Sequence, residues 1–194
     1  MTRMGPLPVK NWPPEMRDAL VAMTPPGHRH SLTGDNRRRG ANILGALAHH
    51  PALAKAFFTL NGHLLRTTTL PARQRELVIM RMAVLRNCSY EWAQHVFLAR
   101  DAGLTDLEIA WIAWGPDAPL WDKLDAGVLR AVGELDRDGV IADETWAVLI
   151  EHLDARQILD IIFTAGAYAT VAWMVHSLGI ELDDDLREGL AESM

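Results

Sequence analysis

The sequence is most informative at residues 86–95, which read RNCSYEWAQH. Cys88, Glu91 and His95 are spaced by three and then four residues, so a helix would carry all three on one face. A thiol, a carboxyl group and an imidazole would then line one stripe. Cys88 would lie at the start of that helix, where unpaired N–H groups favour a thiolate and lower its pKa. The spacing therefore predicts an activated cysteine beside two groups that can transfer protons.

A second carboxyl group is expected to reach this stripe from the preceding helix. Pro71 favours a helix start, and Asn87 is where that helix would end. Glu76 lies about ten residues, or roughly 15 Å, before the turn at Asn87, and His95 lies about eight residues after it. An antiparallel hairpin would place Glu76 and His95 side by side. Glu76 could then orient the imidazole, and His95 could carry a proton to or from a substrate or the thiol.

The same residues also allow a purely structural interpretation. Glu91 and His95 could form an ordinary helix-surface pair, since they are four residues apart. Glu76 could pair with an arginine of its own helix, and Cys88 could be a small buried hydrophobic residue. Spacing alone leaves both interpretations open.

The rest of the chain predicts an all-α protein. Apolar residues recur at three and four spacings, and no Asn-Gly hairpin separates alternating runs. We expect a single domain of about eight or nine helices built around a helical hairpin. The predicted helices are 15–23, 36–49, one from residue 51, 71–86, 89–102, 105–115, 120–137, 143–153 and 154–179. The predicted divisions are an irregular arm with one short helix (1–35), a helical domain (36–182) and a frayed acidic tail (183–194).

Composition excludes several classes of protein. The chain has 194 residues, 49% of them hydrophobic, which is enough for one domain with a sizeable core. A net charge of -6 argues against nucleic-acid binding, which needs a concentrated basic face. The one basic cluster, residues 37–39, is interpreted as a solvated helix start. We therefore expect a small-molecule substrate and no nucleic-acid partner.

The single cysteine and the hydropathy pattern predict a cytoplasmic protein without a membrane span. One cysteine cannot form an intramolecular disulfide, so no oxidising compartment is required. The longest apolar run, residues 158–180, is interrupted by polar residues such as Asp160 and His176. It is therefore interpreted as a buried helix, and no signal-length apolar run follows a basic N-terminus.

Other candidate groups are assigned structural roles. The pairs His28/His30 and His49/His50 lack a third ligand at a suitable position, so no metal site is predicted. Tyr168 is interpreted as a core residue and not as a catalytic acid. The tryptophans are interpreted as core or interface residues, with an aromatic pocket as the alternative: Trp92, Trp111, Trp114 and Trp121. Four arginines could include an anchor for a substrate carboxylate, and the sequence does not show which: Arg73, Arg75, Arg81 and Arg86.

One longer pattern of residues includes the segment 86–95: Arg75-Glu76-x11-Cys88-Ser89-Tyr90-Glu91-Trp92-x2-His95, followed by Ala99 and Gly103-Leu104-x3-Glu108-Ile109. This pattern resembles the carboxymuconolactone decarboxylase domain. A looser similarity continues through residues 139–145 and 157–168. In the AhpD-like branch the pattern is Glu-x11-Cys-x2-Cys-x3-His. Its glutamate, first cysteine and histidine correspond to Glu76, Cys88 and His95, and Glu91 stands where the second cysteine would be.

This resemblance implies an AhpD-like fold, homo-oligomers such as trimers or hexamers, and chemistry without a metal or organic cofactor. Members with two cysteines cycle a disulfide, which a carboxyl group at Glu91 cannot do. The leading hypothesis is therefore acid–base decarboxylation or isomerisation of a small organic acid or lactone through His95. The alternatives are a one-cysteine peroxidase that uses Cys88, and a non-catalytic helical binding protein.

Overall fold

The structure is a computed structural model, and it describes residues 2–23 and 40–187. These residues form nine α-helices and no strand, as the sequence predicts. The helices are α1 (Glu15–Ala22), α2 (Ala41–Leu47), α3 (Pro51–Gly62), α4 (Ala72–Leu85), α5 (Ser89–Asp101), α6 (Asp106–Trp111), α7 (Lys123–Asp138), α8 (Asp143–His152) and α9 (Ala155–Leu178). A 3₁₀ turn, Val9–Asn11, precedes α1, and a π-helical segment, His63–Thr67, follows α3.

By their contacts the helices fall into two compact units. One consists of Met1–Thr67 and Met174–Met194, and the other of Thr68–Trp173. Helices α1 to α3 belong to the first unit, α4 to α8 belong to the second, and α9 contributes residues to both. The units do not divide at residues 35 and 182, so the predicted domain bounds stay predictions.

The first unit is built on an apolar cluster between α1, α2 and α3. Its buried members are Met16, Ala19, Leu47, Ala48, Ala54 and Phe58. The segment before α1 lies directly against α2, where the Leu7 N–H donates to the Gly45 carbonyl at 3.0 Å. A Cβ at Gly45 would lie 2.6 Å from the Leu7 carbonyl oxygen, so this approach requires glycine. The described part of the predicted arm, including the predicted short helix, is therefore packed.

The prediction of a frayed tail is wrong at its first residues. Asp183 is buried, and its carboxylate accepts hydrogen bonds from the backbone N–H groups of Gly40 and Asn42, each at 2.9 Å. These are unpaired N–H groups at the start of α2, and a carboxylate there offsets the positive end of the helix dipole. Residues 184–187 continue in a helical turn, and the remaining tail residues lie outside the described part of the chain.

The second unit is organised around α4. Six apolar side chains within residues 77–83 of this helix are buried: Leu77, Val78, Ile79, Met80, Met82 and Ala83. A helix buried on most sides needs neighbours on most sides, and α4 packs on both α5 and α7. Polar contacts fix these neighbours, because Arg73 and Gln74 both donate to the Asp125 carboxylate of α7, each at 2.8 Å. Helix α4 is therefore a rigid support for the side chains it carries.

Helix α9 is long and apolar enough to cross a membrane by length and composition, with a mean hydropathy of 1.7. More than half of that window, 56%, is buried inside the protein. Its Asp160 accepts hydrogen bonds from the Thr68 hydroxyl at 2.5 Å and the Thr69 N–H at 3.2 Å. These features are typical of the core helix of a water-soluble protein, as the sequence predicts.

Helix ends agree with the capping signals, with two differences. Thr105 and Glu108 form the predicted capping box of α6, and Asp154 and Gln157 exchange the same pair of bonds at the start of α9. Helix α6 ends at Trp111 instead of reaching Gly115, because Arg81 donates hydrogen bonds to the next two carbonyl groups, those of Ile112 and Ala113. Helix α7 begins at Lys123 rather than residue 120, because the Asp122 carboxylate caps it.

Candidate active site

The four predicted site residues come together at the α4–α5 hairpin. Asn87 adopts a left-handed conformation, with φ of 52°, and is the only described non-glycine residue that does so. The Cys88 N–H donates to the Ala83 carbonyl at 2.8 Å, which closes the end of α4. Cys88 is then the N-cap residue of α5. The chain reverses within this turn, so α4 and α5 run side by side as predicted.

The hairpin brings Glu76 and His95 into direct contact. His95 Nδ1 lies 2.7 Å from Glu76 Oε2, in a pair where Glu76 is 0% and His95 6% exposed. Arg75 Nε donates to the other Glu76 oxygen at 3.0 Å. Burial alone would raise the pKa of Glu76, but the charges and hydrogen bonds of His95 and Arg75 outweigh it and lower that pKa. Glu76 is therefore a buried carboxylate held ionised by its neighbours.

This contact determines which nitrogen of His95 is available for chemistry. A carboxylate only accepts hydrogen bonds, so Nδ1 must carry the proton of that bond. In the neutral imidazole the lone pair then lies on Nε2. Among the described residues no hydrogen-bond partner of Nε2 is present, and His95 is the only member of the pair with any exposed surface. The arrangement is that of an oriented proton carrier.

Glu91 lies one turn before His95 on the same face of α5. It is 2% exposed, and within the described ranges neither carboxyl oxygen has a hydrogen-bond partner. Burial raises the pKa of Glu91, and its interaction with the Cys88 thiol only partly offsets this. With only a weak thiol donor beside it to stabilise its charge, a buried carboxyl group favours the neutral acid.

Cys88 is not the activated thiol that the helix start predicts. It is 1% exposed, and burial, followed by the charge of the neighbouring Glu91, raises the pKa of its thiol. The N–H groups of Tyr90 and Glu91 act in the predicted direction but are outweighed. The prediction of a lowered pKa is therefore wrong, because it considered the helix start without the surrounding burial and the like charge.

Tyr168 of α9 is the site residue that sequence reasoning placed elsewhere. It is buried, as a core residue would be, but its ring meets the His95 ring edge to face, with centroids 5.1 Å apart. Burial, then the charges of Glu76 and Glu91, raises its pKa. Tyr168 therefore adjoins both carboxyl groups and the imidazole. Nothing in the local sequence indicates this, because α9 meets α5 only in the tertiary structure.

The four candidate arginines all have partners in the protein. Arg73 pairs with Glu108 and Asp125, and Arg81 donates to the Ile112 and Ala113 carbonyl groups. Arg86 pairs with Asp136 at 2.6 Å and lies over the Trp173 ring. Arg75 is the one that touches the site, through Glu76. Each of these four arginines is therefore already engaged with a group of the protein.

The predicted alternatives for the other groups can also be located. Trp111, the last residue of α6, contacts Trp114, and Trp121 donates to the Gly115 carbonyl in the segment that follows. His49 contacts the Gly5 carbonyl and His50 caps α3, while His28 and His30 lie outside the described residues. Among residues 2–23 and 40–187 no group of three or more His, Cys, Asp or Glu side chains is arranged to hold a metal ion.

Three solved structures show the same fold. An AhpD-core, peroxidase-related protein from Ralstonia eutropha JMP134 has a TM-score of 0.77 at 15% identity, over 95% of this chain and 94% of its own. A peroxidase-related protein from Silicibacter sp. TM1040 has a TM-score of 0.67 at 17% identity, over 75% and 78% of the two chains. A protein of unknown function from Agrobacterium tumefaciens, named as a candidate antioxidant defence protein AhpD, has a TM-score of 0.63 at 20% identity, over 71% and 94%.

The sequence itself matches a family model. Residues 51–136 match the carboxymuconolactone decarboxylase family, in the part of the chain that contains the α4–α5 hairpin. Over this stretch the chain is similar to the carboxymuconolactone decarboxylase family, and its fold is that of the AhpD-like structures. No curated protein matches the sequence.

The superfamily match covers Glu76, Cys88, Glu91 and His95 but ends before Tyr168. The Glu76–His95 contact therefore lies within the part of the chain that matches this family. The carboxyl group of Glu91 is this chain's departure from the AhpD-like two-cysteine pattern. The comparisons support the family and the all-helical fold, and they leave the reaction open.

Proposed function

We propose that this protein is a cofactor-independent acid–base enzyme that decarboxylates or isomerises a small organic acid or lactone. The observation that carries the proposal is the 2.7 Å contact between His95 Nδ1 and Glu76 Oε2 in a buried site. An ionised carboxylate behind a histidine fixes the tautomer and leaves the lone pair on the other nitrogen. His95 Nε2 would then remove a proton from a substrate carbon or deliver one after carbon dioxide leaves.

A one-cysteine peroxidase is the second candidate. The names of two structural neighbours refer to peroxidases, and Cys88 occupies the position of the first AhpD-like cysteine. Against it, the reacting species of such an enzyme is the thiolate, and burial raises the pKa of this thiol. Both candidates belong in the cytoplasm, where the single cysteine stays reduced.

Proton transfer can be tested without knowing the natural substrate. A panel of small lactones, keto acids and unsaturated acids is incubated with the protein in D₂O, and NMR follows both deuterium incorporation at carbon and loss of carbon dioxide. We expect wild-type protein to catalyse exchange or decarboxylation of at least one class. His95→Gln should lower the rate by about 10²-fold or more, because it removes the proton carrier.

Two further variants separate the candidates. Glu76→Gln should shift the pH profile of the exchange rate and lower it, since the amide cannot hold His95 in the same tautomer. Cys88→Ser should retain most of the exchange activity. Two results together would favour the peroxidase. The protein would consume peroxide with a thiol donor and lose this activity in Cys88→Ser, and deuterium exchange would be unaffected by His95→Gln. Neither activity across the panel would favour a non-catalytic binding protein.

A further inference from the structure

Glu91 is a buried carboxyl group of the site whose placement the proton transfer by His95 does not explain. Both of its carboxyl oxygens are inaccessible and without a hydrogen-bond partner in the described part of the chain, whereas Glu76 has partners on both oxygens. An unsatisfied buried carboxyl group is destabilising, so a protein that keeps one generally uses it. The partner that satisfies Glu91 is therefore expected to come from outside the chain.

The surroundings of Glu91 determine what that partner can be. A second carboxylate would face the ionised Glu76 and the Glu91 carboxyl itself, and Arg75, the arginine that contacts Glu76, is engaged there. Burial favours the neutral form of Glu91, which has an O–H group to donate. On one side of Glu91 the Cys88 thiol is a weak hydrogen-bond partner. On the other side lies His95, whose ring contacts the Tyr168 ring. A neutral acceptor, such as a carbonyl oxygen, fits this environment best.

We propose that Glu91 donates a hydrogen bond to the carbonyl oxygen of the substrate, so that the site takes uncharged lactones or ketones in preference to free carboxylates. This inference rests on the proposed function and specifies its substrate class. Glu91 and His95 are one helical turn apart on one face of α5, which suits a carbonyl oxygen and its neighbouring carbon.

The step is balanced without a further reactant. His95 Nε2 takes a proton from the carbon next to the carbonyl group, and the electron pair of that C–H bond forms the C=C bond of an enol. The π pair of the carbonyl group takes the Glu91 proton, which leaves a Glu91 carboxylate and a His95 imidazolium. On the return the enol O–H gives its proton back to Glu91, and His95 Nε2 returns a proton to carbon, at the same position or at a conjugated one.

The first test needs no substrate. Infrared difference spectra of the full-length protein near neutral pH should contain a protonated carboxyl band that is lost in Glu91→Gln. The matched control is Glu144→Gln, which changes an exposed carboxyl group on α8 and should leave the band in place. A spectrum without a band that depends on Glu91 would overturn the inference, because an ionised Glu91 has no proton to donate.

The second test uses a matched pair of probes, γ-butyrolactone labelled with ¹³C at the carbonyl carbon and its ring-opened acid, 4-hydroxybutyrate. We expect NMR titration to show tighter binding of the lactone and a changed carbonyl shift on binding. Glu91→Ala should weaken lactone binding by about tenfold and abolish the shift change, while Glu91→Gln, whose amide still donates, should retain much of both. Unfolding curves establish that each variant is folded.

The outcomes separate this inference from the proposed function. Three results would overturn the role of Glu91. They are lactone binding and a carbonyl shift that are unchanged in folded Glu91→Ala, tighter binding of the acid than of the lactone, and no lactone binding at all. None of these results bears on proton transfer, which is tested separately by deuterium exchange in the wild-type protein and in His95→Gln. Conversely, a probe bound through Glu91 without exchange would support the inference while the enzymatic proposal fails.

Discussion

At the residue scale, Glu91 should make the stability of the protein depend on pH. Its pKa is raised above the ordinary value of 4.5 in the folded state, so the folded protein holds this proton more tightly than the unfolded chain does. The resulting stabilisation is complete below about pH 4.5 and is lost as the pH rises to the raised pKa. Each unit by which the pKa is raised corresponds to about 1.4 kcal/mol.

Chemical denaturation of wild-type protein and Glu91→Gln across this pH range checks the prediction. The free energy of unfolding of the wild type should fall relative to that of the variant as the pH rises, and the variant should be the more stable one at alkaline pH. A difference that does not change with pH would mean that the pKa of Glu91 is not raised. The Glu144→Gln variant provides the control for a surface carboxyl group.

The Cys88 thiol should react slowly in the folded protein. It is 1% exposed and its pKa is raised, so both access and the thiolate fraction are low. At pH 8 we expect a disulfide reagent to label Cys88 at least about 100-fold more slowly in the native protein than in denaturant. Labelling at equal rates would show an accessible, ionised thiol and would strengthen the peroxidase candidate.

At the element scale, the α4–α5 hairpin depends on the left-handed turn at Asn87. A residue with a Cβ loses about 1–2 kcal/mol in this conformation, asparagine tolerates it better than most residues, and glycine avoids the loss. The Asn87 side chain is exposed, so its removal disturbs few contacts. We expect Asn87→Ala to lower the free energy of unfolding by about 1 kcal/mol and Asn87→Gly to be close to neutral.

The paired variants make this prediction specific to the backbone. Both remove the asparagine side chain, so equal losses in denaturant titrations would assign the effect to side-chain contacts and contradict a backbone role. The hairpin also positions His95 against Glu76. Any reduction of the deuterium exchange rate should therefore be larger in Asn87→Ala than in Asn87→Gly.

The elements themselves were largely predictable because their signals are local. A proline before α4, the capping box of α6 and the Asp154–Gln157 pair at α9 each act within one helical turn. The predictions that were wrong, the end of α6 and the frayed tail, failed because of contacts between residues that are distant in the sequence. Helix α6 ends early because Arg81, some thirty residues away in the chain, binds its next carbonyl groups, and Asp183 is buried because the start of α2 needs a carboxylate.

At the scale of the whole molecule, α9 presents a stripe that favours association with further copies of the chain. Five exposed positions recur at spacings of four and three: Leu159, Phe163, Gly166, Thr170 and Trp173. This spacing is typical of helix–helix seams, and a large exposed apolar stripe is typical of interfaces. It supports the homo-oligomer, a trimer or hexamer, that the superfamily resemblance implies.

Light scattering should therefore give a mass above that of one chain for the wild type, and Phe163→Glu should lower it. Leu107→Glu is the matched control, since it puts the same charge on an exposed apolar position of α6. A monomeric wild type, or equal effects of the two variants, would contradict an interface on α9.

By itself, the sequence predicted the all-helical fold and, as one of two interpretations, the pairing of Glu76 with His95. These two predictions follow from helical spacing, local capping and the length of one hairpin, which are properties of neighbouring residues, whereas the superfamily was indicated by the resemblance of its motif. The tertiary structure alone decided the surroundings of each group: a buried Cys88 whose thiol pKa is raised, a buried Glu91 whose pKa is raised, and Tyr168 against the imidazole. The physical reason is that a pKa depends on burial and on charges contributed by distant segments, which spacing along the chain does not report.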